Sequence, residues 1–289
     1  NKAITDLFEP GSTMKPLTIA AALESGEYTV NSTIDTSPGF RRFGRFTIRD
    51  HRNYGVLDLT EIIVKSSNVG VSNIATDLGG DTLRNLYARL GLGQATGIGF
   101  PGEAVGVLPA PPKWRPVEES TLSYGYGMSV NALQLAQAYM VIANGGIRYP
   151  LSLMRQEQRP QGQRVLSEQV TRAVRDMLKQ AVARGTGKRA RPGLYAAGGK
   201  TGTVHLVGAN GYEDSQYKAI FAGMAPIDDP RIVTVVAVDA PQAGEYYGGE
   251  VAAPVFARVM GDALRLLNVK PELEVSETRV SQVTSGGRG

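Results

Sequence analysis

Three short motifs carry residues that together could perform nucleophilic catalysis without histidine or a metal ion. They are Ser12-Thr-Met-Lys15, Ser66-Ser-Asn68 and Lys200-Thr-Gly202. They supply a serine nucleophile, two lysines and a second hydroxyl that could relay a proton, which are the parts needed to attack an amide carbonyl. Each motif alone is common in proteins. The interpretation therefore depends on all three occurring in this order.

The first motif predicts a serine at the start of a helix. Gly11 permits a tight turn before Ser12, and a mostly apolar run from Pro16 to Leu23 follows. Unpaired backbone N–H groups and the positive end of the helix dipole lie at such a position. Lys15, three residues on, returns to the same face, where partial desolvation could remove its proton and make it a base. For this motif alone, a capping serine beside a surface lysine is the alternative.

The second motif interrupts an apolar helical pattern with consecutive small polar residues, which predicts a break between two helices. The Ser66 hydroxyl could pass a proton to a leaving amine. The Asn68 amide could hold the backbone of a substrate. An ordinary turn between two helices is the alternative for this segment.

The third motif resembles a phosphate-binding loop, but that alternative fails on two counts. The glycine that such a loop requires would occupy the position of Leu194, and the residues after Lys200 predict a strand rather than a helix. An edge strand instead offers the Lys200 cation, the Thr201 hydroxyl and the Thr203 N–H. These groups could bind a carboxylate and complete an oxyanion hole with the Ser12 N–H.

The surrounding sequence predicts helices through the first two thirds of the chain and a β-sheet in the last third. The predicted helices cover 12–25, a segment capped at Asp58, a run from 71 to 78, 81–90, 129–144, 167–184 and 251–267, and residues 91–128 are expected to form surface loops. Short β-branched runs at 200–207, 219–226 and 232–239 predict an antiparallel meander. This segregation predicts an α+β fold, with the active-site cleft between an antiparallel sheet covered by helices and a mostly helical subdomain.

Composition excludes several other kinds of chemistry. The 289 residues include no cysteine, so thiol catalysis, disulfides and thiolate metal sites are excluded. His51 and His205 lack the spacing of a triad or zinc site and are expected to be solvated or hydrogen-bonded. The net charge of +4 is scattered, and the basic run 188–191 is expected to be a solvated loop rather than a nucleic-acid patch. No apolar stretch is long enough to span a membrane.

The order of the motifs and their flanks resemble class B penicillin-binding proteins. The flanks are Glu-Pro-Gly-Ser-Thr-Met-Lys-Pro, Lys-Ser-Ser-Asn-Val-Gly and Tyr-Gly-Tyr-Gly-Met-Ser. Within that family they are most similar to the septal, cell-division group named after penicillin-binding protein 3. The resemblance extends from Asp6 to about Leu267 and implies the penicillin-binding and serine β-lactamase fold.

This resemblance implies a peptidoglycan D,D-transpeptidase that works through a serine acyl-enzyme and needs no cofactor or metal. Ser12 would be acylated by the penultimate D-Ala of a stem peptide, with Lys15 as base and Ser66 as relay to the departing D-Ala. Further roles fall on Asn68 for the substrate amide, and on Lys200, Thr201, Gly202 and Thr203 for the carboxylate and the oxyanion. Tyr217, Tyr246 and Tyr247 match aromatic positions around the cleft, and Tyr124 and Tyr126 match less closely.

The resemblance also implies a longer protein of which this chain is the C-terminal part. Full-length members have a cytoplasmic tail, one membrane helix and a pedestal domain, which would hold the catalytic domain at the periplasmic face of the inner membrane. Residues 1–267 would form the transpeptidase domain without its first strands, and 268–289 a polar tail that frays. Stem peptides, β-lactam antibiotics, a membrane-embedded glycosyltransferase and other divisome proteins are the expected partners. No nucleic acid is expected.

Three alternatives share some of these motifs. A class A β-lactamase needs a carboxylate in a Glu-x-x-Leu-Asn context after the second motif, and Glu103, Glu118 and Glu119 all lack that context. A penicillin-sensing module would be acylated once and release no further product, so turnover on a peptide separates it from an enzyme. An inactive divisome scaffold is disfavoured because all three motifs are intact.

Overall fold

A computed structural model of the protein describes residues 1–158, 160–208 and 211–272. The described part has the predicted α+β architecture, in which one antiparallel sheet packs between helices. No helix in these ranges is both long enough and apolar enough to cross a membrane.

Within the described residues, all helices except α9 lie in the first two thirds of the chain. The helices are α1 (Lys2–Thr5), a 3-10 turn (Gly11–Met14), α2 (Lys15–Ser25), α3 (Leu59–Lys65), α4 (Asn68–Leu78), α5 (Gly80–Arg89), α6 (Pro116–Ser123), α7 (Ala132–Ala143), α8 (Glu168–Arg184), a second 3-10 turn (Lys188–Ala190) and α9 (Gly248–Leu266). Asp58 caps α3 by accepting a hydrogen bond from the Glu61 N–H (2.7 Å), as its position in the sequence predicts.

Two short strand pairs lie between α2 and α3, in residues 26–58, which we call the excursion. Strand β1 (Thr33–Asp35) pairs with β4 (Val56–Asp58), and β2 (Phe40–Phe43) pairs with β3 (Phe46–Arg49) as a hairpin. A further pair, β5 (Ile147–Arg148) and β6 (Gln163–Arg164), links α7 to α8. The β2–β3 hairpin ends beside α4, so it brings the residues after β3 to the second motif.

The main sheet is the predicted meander of β7 (Gly198–Gly208), β8 (Gly211–Ala225) and β9 (Ile232–Asp239). Its strand order is β7-β8-β9, which leaves the third motif on an edge strand. Alternate residues of β8 enter different cores because side chains alternate across a strand. Ile220 and Met224 join the large core with the helices of the first two thirds, whereas Phe221 packs with Phe256 of α9.

Two predictions about the middle of the chain are wrong. Residues 91–128 are not all surface loop, because Pro116 begins helix α6 as its first residue and Leu122 is buried. The cap of α7 is Asn131 rather than Ser129. The Asn131 side chain and Gln134 form a reciprocal capping box, whereas Ser129 makes a bridge to Val107.

The start of the polar tail packs against the domain. The Tyr195 hydroxyl donates to the Val269 carbonyl (2.9 Å), and the Ala196 N–H donates to Glu272 (2.9 Å). The expectation that the tail frays therefore does not hold for residues 268–272. Residues 273–289, where the rest of that prediction falls, lie outside the described residues.

Candidate active site

The Ser12 turn lies directly against strand β7, and two glycines permit this approach. Gly11 has a positive φ of 56°, and a Cβ there would lie 2.5 Å from a methyl group of Val204. A Cβ on Gly202 would lie 3.1 Å from both the Pro10 carbonyl and the Thr13 methyl. Side chains at either position would push the first motif away from the third. Ser12 lies at the start of the 3-10 turn, so its backbone N–H has no acceptor within that turn.

Lys15 is fully buried and points to the second motif. Its Nζ donates to the Ser66 carbonyl (2.5 Å), the Ser66 Oγ (2.9 Å) and the Asn68 Oδ1 (2.7 Å). Burial lowers the pKa of Lys15 well below its usual value, and the nearby charge of Lys200 lowers it further, against a smaller opposite effect of Asp50. Among the hydrogen bonds of the described residues, none joins Lys15 to Ser12. The Lys15 amine of the first motif is therefore bound by residues of the second motif.

The second motif forms the break between α3 and α4. Ser66 ends α3 in the left-handed conformation (φ 59°), and Ser67 caps α4 by accepting from the Gly70 N–H (2.9 Å). This turn directs the Ser66 hydroxyl and the Asn68 amide oxygen to Lys15. The Asn68 Nδ2 donates to the Arg49 carbonyl (3.0 Å), so the orientation of the amide is fixed on both sides.

Asp50, which follows β3, holds the second motif in place. Its Oδ1 accepts from the Asn68 N–H (2.6 Å) and the Val69 N–H (3.0 Å), and its Oδ2 accepts from the Ser67 hydroxyl (2.6 Å). A carboxylate at a helix N-terminus is favoured by the helix dipole and by the free N–H groups. Asp50 therefore anchors α4 from another part of the chain.

The third motif places a buried lysine behind the Thr201 hydroxyl, which lines the cleft. Lys200 is fully buried, its Nζ donates to the Thr201 carbonyl (3.2 Å) and Oγ1 (3.3 Å), and burial lowers its pKa to about 7. The hydroxyls of Thr201 and Thr186 are 2.7 Å apart. The Thr203 hydroxyl accepts from the Gly248 N–H (2.9 Å). The site therefore offers hydroxyl donors beside a cation whose charge changes near neutral pH.

Aromatic rings form one wall of the cleft. Tyr217 and Tyr246 are stacked with their ring centroids 4.2 Å apart, and Tyr247 lies 4.5 Å from Tyr246. His205 packs on the other side of this group, 4.5 Å from Tyr217. Tyr126 also lines the cleft. Tyr124 is buried behind Tyr126, with the two ring centroids 5.6 Å apart.

These elements enclose a cleft of about 740 Å³. The predicted site residues that line it are Ser12, Ser66, Asn68, Thr201, Thr203, Tyr217, Tyr246 and Tyr247. Lys15 and Lys200 are buried behind the lining, and Gly202 provides the close contact between β7 and the Ser12 turn. No group of three or more histidine, aspartate or glutamate side chains within the described ranges is arranged to hold a metal ion.

Sequence reasoning missed several residues of the cleft. Asp50 and Thr186 lie far along the chain from the motif residues that they contact. His51 and His205 both line the cleft, although their spacing gives no sign of it. No local pattern marks Asp50 as a site residue, and its role becomes visible only in its contact with α4.

Comparison with known proteins identifies the family. The penicillin binding protein transpeptidase domain matches residues 1–261. The chain belongs to this transpeptidase family. The resemblance seen in the sequence, and the fold that it implies, are thus confirmed.

The chain is similar in sequence to proteins that are named as peptidoglycan transpeptidases, and in structure to a solved transpeptidase domain. It is 41% identical over 290 residues to the peptidoglycan D,D-transpeptidase FtsI of Escherichia coli K12, covering 100% of this chain and 49% of that protein. It is 39% identical over 272 residues to the probable peptidoglycan D,D-transpeptidase PenA of Neisseria gonorrhoeae (94% and 46%). The solved transpeptidase domain of Burkholderia pseudomallei penicillin-binding protein 3 is 42% identical, with a TM-score of 0.90 and coverage of 95% and 84%. The chain spans about half the length of these curated relatives.

Proposed function

We propose that this transpeptidase-family chain cross-links peptidoglycan stem peptides through an acyl-enzyme on Ser12. The observation that carries the proposal is the position of Lys15 directly after the Ser12 turn, where its buried amine has a lowered pKa and is bound by Ser66 and Asn68. A neutral amine in this position can accept the proton of a serine hydroxyl at neutral pH. Histidine and metal ions are not required for this step.

The first half of the reaction forms the acyl-enzyme. The Ser12 Oγ attacks the carbonyl carbon of the penultimate D-Ala, and its proton moves to the Lys15 Nζ. The Ser12 and Thr203 N–H groups stabilise the oxyanion. The C–N bond then breaks, and the departing amine of the terminal D-Ala takes a proton from Lys15 through the Ser66 hydroxyl, which lies 2.9 Å from Nζ. An ester on Ser12 remains.

The second half transfers the acyl group to an amine of another stem peptide. That amine attacks the ester carbon, loses its proton through Ser66 and Lys15, and expels Ser12, which regains its hydroxyl proton. Lys200 and Thr201 would hold the terminal carboxylate of the donor before acylation. Asn68 would hold the preceding amide, and the tyrosines Tyr217, Tyr246 and Tyr247 would flank the peptide.

The cellular setting of this reaction follows from the relatives and is part of the proposal. One relative is named FtsI and the similar solved domain is a penicillin-binding protein 3, which supports work on the septal cell wall. The full-length protein would hold this domain, residues 1–267, at the periplasmic face of the inner membrane. A membrane-embedded glycosyltransferase and other divisome proteins would be its partners, and β-lactams its covalent inhibitors.

The carboxylates of the structure support a transpeptidase over a β-lactamase. Asp50 and Glu250 line the cleft, but Asp50 holds α4 and Glu250 pairs with Arg189 (2.8 Å). The three glutamates of 91–128 do not line the cleft, and each has a partner: Glu103 accepts from Thr96, Glu118 pairs with Arg115 and Glu119 accepts from Gly80. No carboxylate of the described cleft is therefore free to activate a water molecule for deacylation.

Mass spectrometry of the β-lactam adduct tests the proposal. We expect one adduct per chain, mapped to Ser12, that persists for many minutes after free drug is removed. Ser12→Ala should abolish labelling with the fold intact, and Ser152→Ala, at an exposed serine away from the cleft, should label normally. An adduct on Ser66 or Ser67 would overturn the assignment of the nucleophile. Recovery of free enzyme within seconds would favour a β-lactamase, and a single release of D-Ala per chain from a stem peptide would indicate a sensor.

A further inference from the structure

The β2–β3 hairpin and the residues around it form a strongly basic surface beside the cleft. Residues 36–57 contain five arginines and one acidic residue, Asp50, which is bound to α4. Within the described ranges, no carboxylate lies within 4.0 Å of the guanidinium of Arg42, Arg45, Arg49 or Arg52, all of which are exposed. The catalytic proposal makes no use of this surface.

Two of these arginines share one aromatic ring. The Cζ of Arg42 lies 5.3 Å from the centroid of the Phe40 ring, and that of Arg49 lies 5.4 Å from it. Phe40 pairs with Arg49 across the hairpin, so their side chains leave the same face. Arg41 points to the other face and donates to the Ser72 carbonyl. Contact with the ring orients the Arg42 and Arg49 guanidiniums and leaves donors free for an anion.

Arg49 connects this pair to the second motif. Arg49 lines the cleft, and its carbonyl accepts the hydrogen bond from the Asn68 side chain (3.0 Å). A donor peptide with its scissile carbonyl at Ser12 and its preceding amide at Asn68 would have its earlier residues close to Arg49, which lines the same cleft. Stem peptides carry free carboxylates before the terminal D-Ala–D-Ala unit, which match two unpaired guanidiniums in charge and geometry.

We propose that Arg42 and Arg49 form an anion site for a carboxylate on the residues that precede D-Ala–D-Ala in the donor peptide. This inference rests on the proposed function and names the part of the substrate that the hairpin recognises. Each exposed contact between a guanidinium and a carboxylate contributes a few-fold in affinity, so the pair together gives about 5- to 10-fold. The effect should weaken as salt rises, because the site is open to solvent.

Two donor peptides that differ by one charge test the site. Both are Lys-D-Ala-D-Ala peptides, one with an N-terminal glutaryl cap and the other with its neutral amide isostere, glutaramyl. The measurement is the ratio of their kcat/KM values for D-Ala release, in which any general loss of activity cancels. We expect the wild-type protein to prefer the acidic peptide about 5- to 10-fold at low salt. In Arg42→Gln/Arg49→Gln the ratio should fall to about 1.

Arg45→Gln/Arg52→Gln is the matched control. It removes the same charge from the same excursion, from arginines that stack on Phe46 and Tyr54 and do not line the cleft, so it should keep the wild-type ratio. An equal fall in both double variants would show an effect of net charge and overturn the site. A wild-type ratio of 1 would overturn it without any variant. Absence of D-Ala release from both peptides by the wild-type protein would instead refute the proposed function.

Discussion

Replacement of Asp50 tests whether the second motif depends on an anchor from another part of the chain. In Asp50→Ala the N–H groups of Asn68 and Val69 and the Ser67 hydroxyl lose their acceptor. Hydrogen bonds to a charged group are stronger than those between neutral groups, but Asp50 is half-buried and water can replace part of the loss. We expect a cost of about 2 kcal/mol in the free energy of unfolding, and hence a melting temperature lower by about 4 to 8 °C.

The same change should reduce acylation by more than the loss of stability explains. Asn68 and Ser66 both hydrogen-bond the Lys15 amine, so a looser α4 start moves two partners of the proposed base. We expect acylation by a β-lactam to fall about 10- to 100-fold, as for other misplaced catalytic groups. Asp50→Asn keeps one acceptor oxygen for the backbone N–H groups and should lose less.

The pH profile separates an electrostatic role of Asp50 from a purely structural one. As the proposed base, Lys15 must be neutral to accept a proton, so acylation should rise with pH through the pKa of Lys15. The Asp50 charge raises the pKa of Lys15, whereas burial and Lys200 lower it. In Asp50→Asn the pKa of Lys15 should therefore fall further, and the acid limb should move to lower pH. A structural loss alone would lower the rate at every pH and leave the limb unmoved.

Asp58→Ala provides the control for this experiment. Asp58 caps α3 with one hydrogen bond and does not line the cleft, so its loss should cost about 1 kcal/mol with little change in acylation. Acylation of Asp50→Ala at the same rate as Asp58→Ala would refute the reasoning.

Two further predictions concern the buried lysines. Lys15→Arg should keep the charge but reduce acylation at least ~100-fold, because a guanidinium does not release its proton. Lys200→Arg should retain partial activity. Near-normal acylation of Lys15→Arg in a stopped-flow assay would assign the base to another residue. Burial lowers the pKa of Lys200 to about 7 in the folded protein. Between pH 7 and the higher pKa of this lysine in the unfolded chain, the unfolded chain binds more protons than the folded protein, so stability rises with pH. Lys200→Met should reduce the increase in melting temperature between pH 7 and 9, and an unchanged slope would contradict this burial effect.

The sequence was sufficient to predict the elements whose signals are local. The cap at Asp58, the break at Ser66, the amphipathic helix α8 and the β-branched strands all depend on neighbouring residues, and they occur as predicted. Helix α6 was missed because a segment rich in glycine and proline resembles a loop, although proline is favoured at the first position of a helix.

The contacts that complete the site depend on tertiary packing and could not be predicted in this way. Asp50 reaches Asn68 across a change of element, and Thr186 reaches Thr201 from beyond the end of α8. The three motifs supply the residue types of the cleft. The Asn68 amide turns its oxygen to Lys15 because Asp50 anchors the start of α4 and the Arg49 carbonyl binds the Asn68 Nδ2. The residues next to Asp50 and Arg49 in the sequence give no sign of these contacts.

The left-handed backbone of Ser66 sets a limit on laboratory evolution of this protein. Glycine adopts a φ of 59° without the strain of about 1 kcal/mol that a serine bears there, so Ser66→Gly would relieve the backbone. The same exchange removes the hydroxyl bound to Lys15. A screen that rewards heat resistance alone would therefore not detect the loss of this hydroxyl from the proposed proton relay. Selection for improved stability therefore has to include a measurement of turnover.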